Sequence, residues 1–320
     1  MNKTSLDLKP TVSGRPDSVM IELTNRCQLA CITCPRDKRD AHDYDIGMMS
    51  MSDFQRLFFQ FEDSIKVLDL TGLGESLMHP EIFDIIRWVR SRREVHIFLT
   101  TNTILLNERT IKSFRRDPVD TLCISIDGTN QDEFSSIRGR LHYDRLKQRV
   151  HATVEQLGDL MHFIMCVVLV RENLDSMPEF VDLAAELGIT QLSLKPINLV
   201  ANAIPSTYYD LFLTDRFDAQ AEESMRRGDA LGVDVSVFRI GASTCTFPWS
   251  PIYITWDGYL VPCCAKPFPK RSNFGNLLRD EFDAIKNGPA AVTFRRQLLS
   301  DDPPAFCGKC HMMERTLRRD

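Results

Sequence analysis

The chain has 320 residues, of which 43% are hydrophobic and 26% charged, with a formal net charge of −5. This composition indicates a soluble globular protein with one large domain or two moderate ones. The mild acidity argues against nucleic-acid binding, and no apolar run approaches the roughly 18 residues of a membrane span. Residues 1–18 are polar without a secretory-type segment. We therefore expect a cytoplasmic protein whose ten cysteines serve metal binding rather than disulfides.

Short apolar runs alternate with helical patterns along the first 200 residues. Near-continuous apolar strands separated by helices indicate a parallel sheet covered by helices. Six such units predict an α/β fold, a partial (β/α)6 TIM-like barrel with its chemistry at the carboxyl ends of the strands. The predicted strands are 19–23, 65–71, 96–101, 121–126, 162–170 and 191–197, and the helices are 51–61, 80–90, 131–137, 143–157 and 177–187.

The pattern changes after residue 200. Residues 201–244 are interpreted as a connector with one polar helix near 215–227. Asp257-Gly258 between the apolar runs 251–255 and 259–262 is a strong hairpin signal, and a helix is predicted at 280–286. The predicted division is an N-terminal extension (1–18), a barrel (19–200), the connector (201–244) and a small C-terminal domain (245–320).

Three cysteines follow the first predicted strand as CxxxCxxC, at Cys27, Cys31 and Cys34. Three thiolates so close in sequence can converge on one metal centre. A cubane iron–sulfur cluster usually has four thiolate ligands, so three leave one iron open to another ligand. The spacing alone is also compatible with a structural zinc site.

With this triplet the chain resembles the radical S-adenosylmethionine (SAM) superfamily. The resemblance implies that the open iron of a 4Fe–4S cluster chelates the amino and carboxylate groups of SAM. An electron from the cluster then cleaves the sulfonium to a 5′-deoxyadenosyl radical. The cluster would need a low-potential reductant such as a flavodoxin or ferredoxin. The family usually has an aromatic residue before the third cysteine, where this chain has Thr33, so adenine contacts are expected elsewhere.

Motifs at three further strand ends, and one after the helix 131–137, resemble the SAM-binding segments of that family, and Thr101-Asn102 at the end of the third strand is where the family often has T-N. Residues 71–75 (TGLGE) resemble its GGE-type motif, whose acid holds the SAM amino group, and glycines allow close backbone approach. Residues 125–128 (SIDG) and 137–139 (IRG) resemble segments that meet the ribose and the SAM carboxylate, which arginine pairs bidentately. Alternatively, the aspartate is a helix cap and the arginine a surface residue. The predicted SAM contacts are Gly72, Gly74, Glu75, Asn102, Ser125, Asp127 and Arg138.

A second group of cysteines lies near the C-terminus. Its members resemble the twitch form of the SPASM region, in which four cysteines bind one auxiliary 4Fe–4S cluster. Ten residues without cysteine follow the last of them, so one auxiliary cluster is expected. A tetrahedral zinc ion is the alternative for the same residues. The predicted ligands are Cys245, Cys263, Cys307 and Cys310.

The remaining cysteines and two polar strand residues complete the candidates. Cys264 is predicted either to donate a hydrogen atom to a substrate radical or to be an inert packing residue or an alternate ligand to Cys263. Cys123 and Cys166 lie inside strand patterns and are predicted to be buried packing residues. Asp69 and Lys195 are candidate bases, and Lys195 could equally bind an anionic substrate group.

The reaction is expected to be epimerisation or alcohol oxidation of a small polar substrate. Relatives with a twitch domain act on aminoglycosides or cyclitols, and the chain leaves no segment for a leader-binding domain before Val19 or after Cys310. Peptide modification is the alternative enzymatic reading. An iron–sulfur electron carrier or zinc scaffold is the alternative of another class, and it would not cleave SAM.

Overall fold

A computed structural model describes residues 8–36, 43–139, 141–200, 204–241 and 245–312. Its strands form one sheet within this part of the chain, and nine α-helices of the same part surround the sheet. The strands are β1 (Ser18–Ile21), β2 (Val67–Asp69), β3 (His96–Thr101), β4 (Thr121–Ser125), β5 (His162–Leu169), β6 (Gln191–Pro196), β7 (Asp234–Val237), β8 (Ile252–Ile254), β9 (Tyr259–Val261) and β10 (Gly275–Asn276). Their order in the sheet is β10-β9-β8-β1-β2-β3-β4-β5-β6-β7.

The helices follow the strands as the apolar periodicity predicts. Side chains at the helix starts satisfy free backbone N–H groups: Ser50 accepts from Asp53, and Asn130 accepts from Asp132 and Glu133. Gly232 ends a long helix in the left-handed conformation, at φ +72°. The helices are α1 (Met51–Phe59), α2 (Ile82–Arg92), α3 (Glu108–Arg116), α4 (Gln131–Arg138), α5 (Tyr143–Leu157), α6 (Met177–Glu186), α7 (Asp215–Leu231), α8 (Phe282–Ile285) and α9 (Pro289–Leu298).

Strands β1 to β7 run parallel, so their carboxyl ends meet at one edge. Strand β5 shows how residues are divided between the two faces. Phe163, Met165 and Val167 are at most 5% exposed and belong to the core cluster, whereas Ile164 and Cys166 line an interior cavity. The predicted α/β class with a parallel sheet is confirmed.

Four elements were missing from the sequence prediction, namely α3, β7, β10 and α9, and two of them belong to the barrel. Helix α3 has only two buried residues, Ile111 and Phe114, in an otherwise charged segment, so its apolar signal is weak. Strand β7 lies inside the predicted connector, which the sequence treats as a link with one helix. It pairs with β6 in parallel, with Val235 beside Leu192, and the barrel sheet therefore continues beyond residue 200.

The predicted hairpin is present and joins the barrel sheet. Strands β8 and β9 are antiparallel, with Ile254 beside Leu260, and Gly258 adopts the positive φ of +87° that the tight turn requires. Strand β8 also pairs in parallel with β1, placing Tyr253 beside Met20. The C-terminal domain is thus fixed to the strand that precedes the first cysteine triplet.

The expectation that Cys123 and Cys166 are unbonded packing residues is wrong. They lie on neighbouring strands β4 and β5, and the structure joins them in a disulfide with their Cα atoms 6.2 Å apart. Cys123 is buried as expected, at 2% exposure, whereas Cys166 lines the interior cavity. Sequence separation hid this pair, because only the strand register brings the two residues together.

The segment before β1 lies against the C-terminal domain. Val12 exchanges two hydrogen bonds with the side chain of Asn287, and the indole of Trp249 donates to the carbonyl of Lys9 at 2.6 Å. The predicted domain boundaries at 18, 200 and 244 stay a prediction. The predicted domains include residues 1–7, 201–203, 242–244 and 313–320, which lie outside the described part. Among the described residues, no helix combines the length and apolar character needed to cross a bilayer.

Candidate functional site

The loop after β1 brings the first cysteine triplet to the carboxyl edge of the sheet. Cys27, Cys31 and Cys34 are all partly exposed there. The N–H of Cys34 donates to the carbonyl of Cys31 at 3.2 Å, and the N–H of Ile32 donates to Ile137, near the end of α4, at 2.8 Å. The loop is therefore folded on itself and held against α4.

The surroundings of these sulfur atoms suit metal-bound thiolates. The N–H of Leu29 and the side-chain amide of Asn102 lie 3.5 and 3.4 Å from the Sγ of Cys27. Burial raises the pKa of the Cys31 thiol, while the Arg138 cation opposes that shift. Burial also raises the pKa of Cys34, and the charges of the other two cysteines add to the effect because they lie close. Since metal ligation requires deprotonated sulfur, these donors and this cation favour a cluster with three cysteine ligands.

Glu75 is buried beside this loop at the end of the β2 segment, at 2% exposure. Its carboxylate accepts hydrogen bonds from the Thr101 hydroxyl at 2.9 Å and from the backbone N–H of Asn102 at 2.7 Å. Burial raises its pKa, and these donors oppose the rise. The acid predicted to hold the SAM amino group is therefore fixed by the end of β3, next to the residue that contacts Cys27.

Gly72 and Gly74 lie in close contact with the protein's own chain, and their predicted contact with SAM stays a prediction. A Cβ on Gly74 would lie 2.4 Å from the carbonyl oxygen of Arg26, and a Cβ on Gly72 would lie 2.5 Å from Cγ of Glu22. Both glycines allow close approach to the protein's own chain just before Cys27. This packing sets the distance between the Glu75 loop and the cysteine loop.

Asp127 and Arg138 form a buried ion pair, with Nε 2.8 Å from Oδ2. The other carboxylate oxygen of Asp127 accepts from the N–H of Val168 on β5 at 2.7 Å. Arg138 also interacts electrostatically with Cys31 and Glu75. Asn130, and not Asp127, therefore caps α4. Arg138 is buried and is not a surface residue. Ser125 is the partly exposed last residue of β4.

The four C-terminal cysteines line one cavity with apolar walls. Burial and, to a smaller extent, the charges of the neighbouring cysteines of the set raise the pKa of Cys263 and of Cys307 to about 12 each. Such clustering in an apolar cavity fits a four-thiolate iron–sulfur cluster. The cavity is lined by Val200, Cys245, Pro248, Pro262, Cys263, Phe294, Leu298, Phe306, Cys307 and Cys310.

Cys264 and Asp69 interact electrostatically. Burial raises the pKa of Cys264 well above its ordinary value, and the charges of Cys263, Cys245 and Asp69 contribute to the rise. Burial raises the pKa of Asp69 to about 6, although the N–H of Thr71 donates to its carboxylate at 2.8 Å. The structure therefore places a protonated thiol and a titratable acid close together.

Lys195 belongs to another part of the barrel. It lies on β6, separated from β2 by three strands, and lines a cavity of about 230 Å³ together with Cys166 and Ser193. Its charge helps to lower the pKa of His311 to about 4, an effect in which burial is the larger cause. Lys195 and Asp69 therefore lie on strands that are not neighbours in the sheet, and the role of each as a base stays a prediction.

The sequence analysis missed Glu22 and Tyr253. Glu22 is 2% exposed, and the Tyr253 hydroxyl donates to its carboxylate at 2.8 Å. A signal was present, because Glu22 is the one charged residue in the apolar run 19–23. An acid inside a buried strand needs hydrogen-bond partners.

The comparisons with known proteins agree with this arrangement. The Radical SAM superfamily model matches residues 21–184, and the SPASM iron-sulfur cluster-binding domain matches residues 245–311. The antilisterial bacteriocin subtilosin biosynthesis protein AlbA of Bacillus subtilis is 24% identical, over 93% of this chain and 67% of its own length.

Two solved structures show the shared fold. Streptococcus suis SuiB bound to precursor peptide SuiA has a TM-score of 0.70 at 15% identity, over 93% of this chain and 70% of SuiB. BtrN in complex with AdoMet and 2-DOIA has a TM-score of 0.53 at 13% identity, over 90% of this chain and 88% of BtrN. With both domain models matched, the chain is a radical SAM enzyme whose cofactors are SAM and two 4Fe–4S clusters, and it belongs to the radical SAM superfamily.

Proposed function

We propose that this enzyme modifies a C–H bond of a peptide substrate. The chemistry is supported by Cys264, which follows the auxiliary ligand Cys263 directly in the chain and interacts electrostatically with Asp69. The substrate class is supported by AlbA, whose name refers to bacteriocin biosynthesis, and by SuiB, which was solved with a precursor peptide. These relatives favour a peptide over the carbohydrate or cyclitol that the sequence analysis expected.

The geometry of the site supports the following proposed cofactor-binding roles. Cys27, Cys31 and Cys34 hold the first cluster, and Cys245, Cys263, Cys307 and Cys310 hold the auxiliary one. Glu75 accepts from the SAM amino group, and Arg138, held by Asp127, pairs with its carboxylate. Asn102 and Ser125 complete the SAM pocket, and Gly72 and Gly74 let its loop pack closely. When bound, SAM and its cluster supply the radical that removes a hydrogen atom from substrate carbon.

The chain's own residues then decide the outcome. The Cys264 thiol, kept protonated by burial, can return a hydrogen atom and so invert a stereocentre; the sulfur radical left on Cys264 would then take up one electron from the reductant and one proton. Alternatively, the Asp69 carboxylate can accept a proton while the substrate radical loses one electron, for which the auxiliary cluster would be the acceptor. Lys195 binds an anionic group of the substrate at the other side of the barrel. A flavodoxin- or ferredoxin-type protein is the proposed electron donor.

A second candidate function is epimerisation or oxidation of a small polar molecule. Its support is the fold similarity to BtrN, whose structure holds 2-DOIA, together with the polar barrel cavity. The identity of 13% makes this a likeness of fold.

The test is an anaerobic assay of reconstituted, reduced enzyme in heavy water. Peptide pools and polyol pools are compared for release of 5′-deoxyadenosine and for deuterium in the product by mass spectrometry. Turnover with peptides alone supports the proposal, and turnover with polyols alone contradicts it. Deuterium uptake that disappears in both Cys264→Ala and the similarly sized Cys264→Ser assigns the hydrogen-donor role. Uptake that persists in both removes that role.

A further inference from the structure

The buried carboxylate of Glu22 connects three parts of the protein that are far apart in sequence. The N–H of Leu73 donates to its Oε2 at 2.7 Å, and the hydroxyl of Tyr253 donates to the same oxygen at 2.8 Å. The N–H of Trp256 lies 3.4 Å from Oε1. Glu22 thus joins the end of β1, the loop after β2 and the hairpin of the C-terminal domain.

On the barrel side, Glu22 sets the position of the loop that carries Glu75. A Cβ on Gly72 would lie 2.5 Å from Cγ of Glu22, so the loop packs directly on this side chain. Three residues further along, the N–H of Glu75 donates to the carbonyl of Arg26 at 2.8 Å. The loop is held at both ends by the segment that leads into Cys27.

On the side of the C-terminal domain, strand pairing and side-chain contacts hold the hairpin that contacts Glu22. Tyr253 is 2% exposed and pairs with Met20 of β1. The indole N–H of Trp256 donates to the carbonyl of Asp45 at 3.0 Å, and a Cβ on Gly47 would lie 2.3 Å from its ring. Since the hairpin leads through β9 to Cys263, its position is linked to that of the auxiliary cysteines.

We propose that Glu22 is a positioning residue that sets the Gly72–Glu75 loop relative to the auxiliary hairpin, so that SAM affinity depends on the hydroxyl of Tyr253. The inference rests on the proposed role of Glu75 in SAM binding. Charge-assisted hydrogen bonds are stronger than neutral ones, and a buried acceptor that loses a donor is costly. Removing the hydroxyl therefore weakens the link between the loop and the hairpin, in which the longer contact from the Trp256 N–H remains, without touching the SAM pocket.

The experiment measures SAM affinity by anaerobic equilibrium dialysis with oxidised, fully reconstituted protein, so that no turnover occurs. We expect Tyr253→Phe to raise the dissociation constant of SAM at least about threefold. Tyr259→Phe is the same change on the next hairpin strand, outside this hydrogen-bonded set. It should change the dissociation constant of SAM less than Tyr253→Phe does. Iron content, about eight per chain, should stay the same in both.

Glu22→Gln supplies the second arm, because it keeps the shape of the side chain and removes its charge. The two changes act on one contact, so the double variant should weaken SAM binding less than the product of the single effects. An effect of Tyr253→Phe below threefold, an equal effect of Tyr259→Phe, or multiplicative single effects overturns the inference. If Glu22→Gln does not fold, the tyrosine pair alone decides. Wild-type protein that binds no SAM contradicts the proposed function instead.

Discussion

The side-chain amide of Asn102 lies 3.4 Å from the Sγ of Cys27, and its backbone N–H donates to Glu75 at 2.7 Å. One residue at the end of β3 thus contacts both the cluster loop and the acid proposed to bind SAM. Hydrogen bonds to cluster sulfurs raise the reduction potential, because they stabilise the more negative reduced state. Asn102 is therefore expected to tune the cluster as well as to shape the pocket.

Replacing Asn102 with alanine should lower the reduction potential of the SAM-binding cluster, by an amount on the order of tens of millivolts. An electron paramagnetic resonance titration would follow this cluster. Asn107→Ala is the matched control, because Asn107 caps α3 and has no role at the cluster. An unchanged or higher potential in Asn102→Ala would show that the amide does not donate to the sulfur.

The two sets of cysteines should be separable by iron analysis. Cys31→Ala is expected to reduce iron from about eight to about four per chain and to abolish SAM cleavage. Cys307→Ala should also lose about four irons, but it should retain SAM binding at the first site. Cys264→Ala is the control, because Cys264 belongs to neither set and its loss should leave about eight irons. Loss of iron in that control would make Cys264 a ligand in place of Cys263.

Much of the barrel could be predicted because its signals are local. The run 96–101 and the helix 143–157 agree with the observed β3 and α5 at both ends. In each segment, apolar residues recur with the period of the strand or helix, because one face of the element is buried. Helix α3 was missed because Ile111 and Phe114 are its only buried side chains, too few to give a clear period.

The contacts that place the site could not be predicted, since they join distant segments. The Tyr253 hydroxyl meets Glu22 across 231 residues, and Cys123 meets Cys166 only through the register of β4 and β5. Gly72 and Gly74 were recognised as important, but the chain that approaches them could be identified only in three dimensions. Local patterns specified the elements, and the docking of β8 on β1 specified how the two cysteine sets are placed.

Gly74→Ala should disturb the cysteine loop. The added Cβ would lie 2.4 Å from the Arg26 carbonyl oxygen and 2.6 Å from the Asn25 carbonyl carbon, which are backbone atoms that cannot rotate away. Overpacking of this kind typically costs about 1–3 kcal/mol of the free energy of unfolding. Thermal denaturation should show the loss, accompanied by weaker SAM binding. Gly288→Ala, whose nearest neighbouring atom would be 3.3 Å away, should have a smaller effect on stability and none on SAM binding.

Asp69 should make the stability of the protein fall as the pH rises towards neutrality. Its pKa is about 6 in the folded protein because burial disfavours the carboxylate, and its ordinary value is 3.8. The folded state therefore binds the proton more tightly than the unfolded state does. The resulting stabilisation is complete below pH 3.8 and is lost as the pH passes through about 6. Linkage gives a loss of about 1.4 kcal/mol between pH 5 and pH 7.

Denaturant unfolding of the wild type and of Asp69→Asn at pH 5 and pH 7 measures this effect. Asparagine is neutral at both values, so the stability of the variant relative to the wild type should rise by about 1.4 kcal/mol over the interval. Asp159→Asn is the same substitution at an exposed position. The stability of this variant relative to the wild type should be the same at pH 5 and at pH 7. A flat difference for Asp69→Asn as well would mean that the Asp69 carboxyl group does not change its protonation state between pH 5 and pH 7. The fall in proton-accepting activity expected below pH 6 would then be absent.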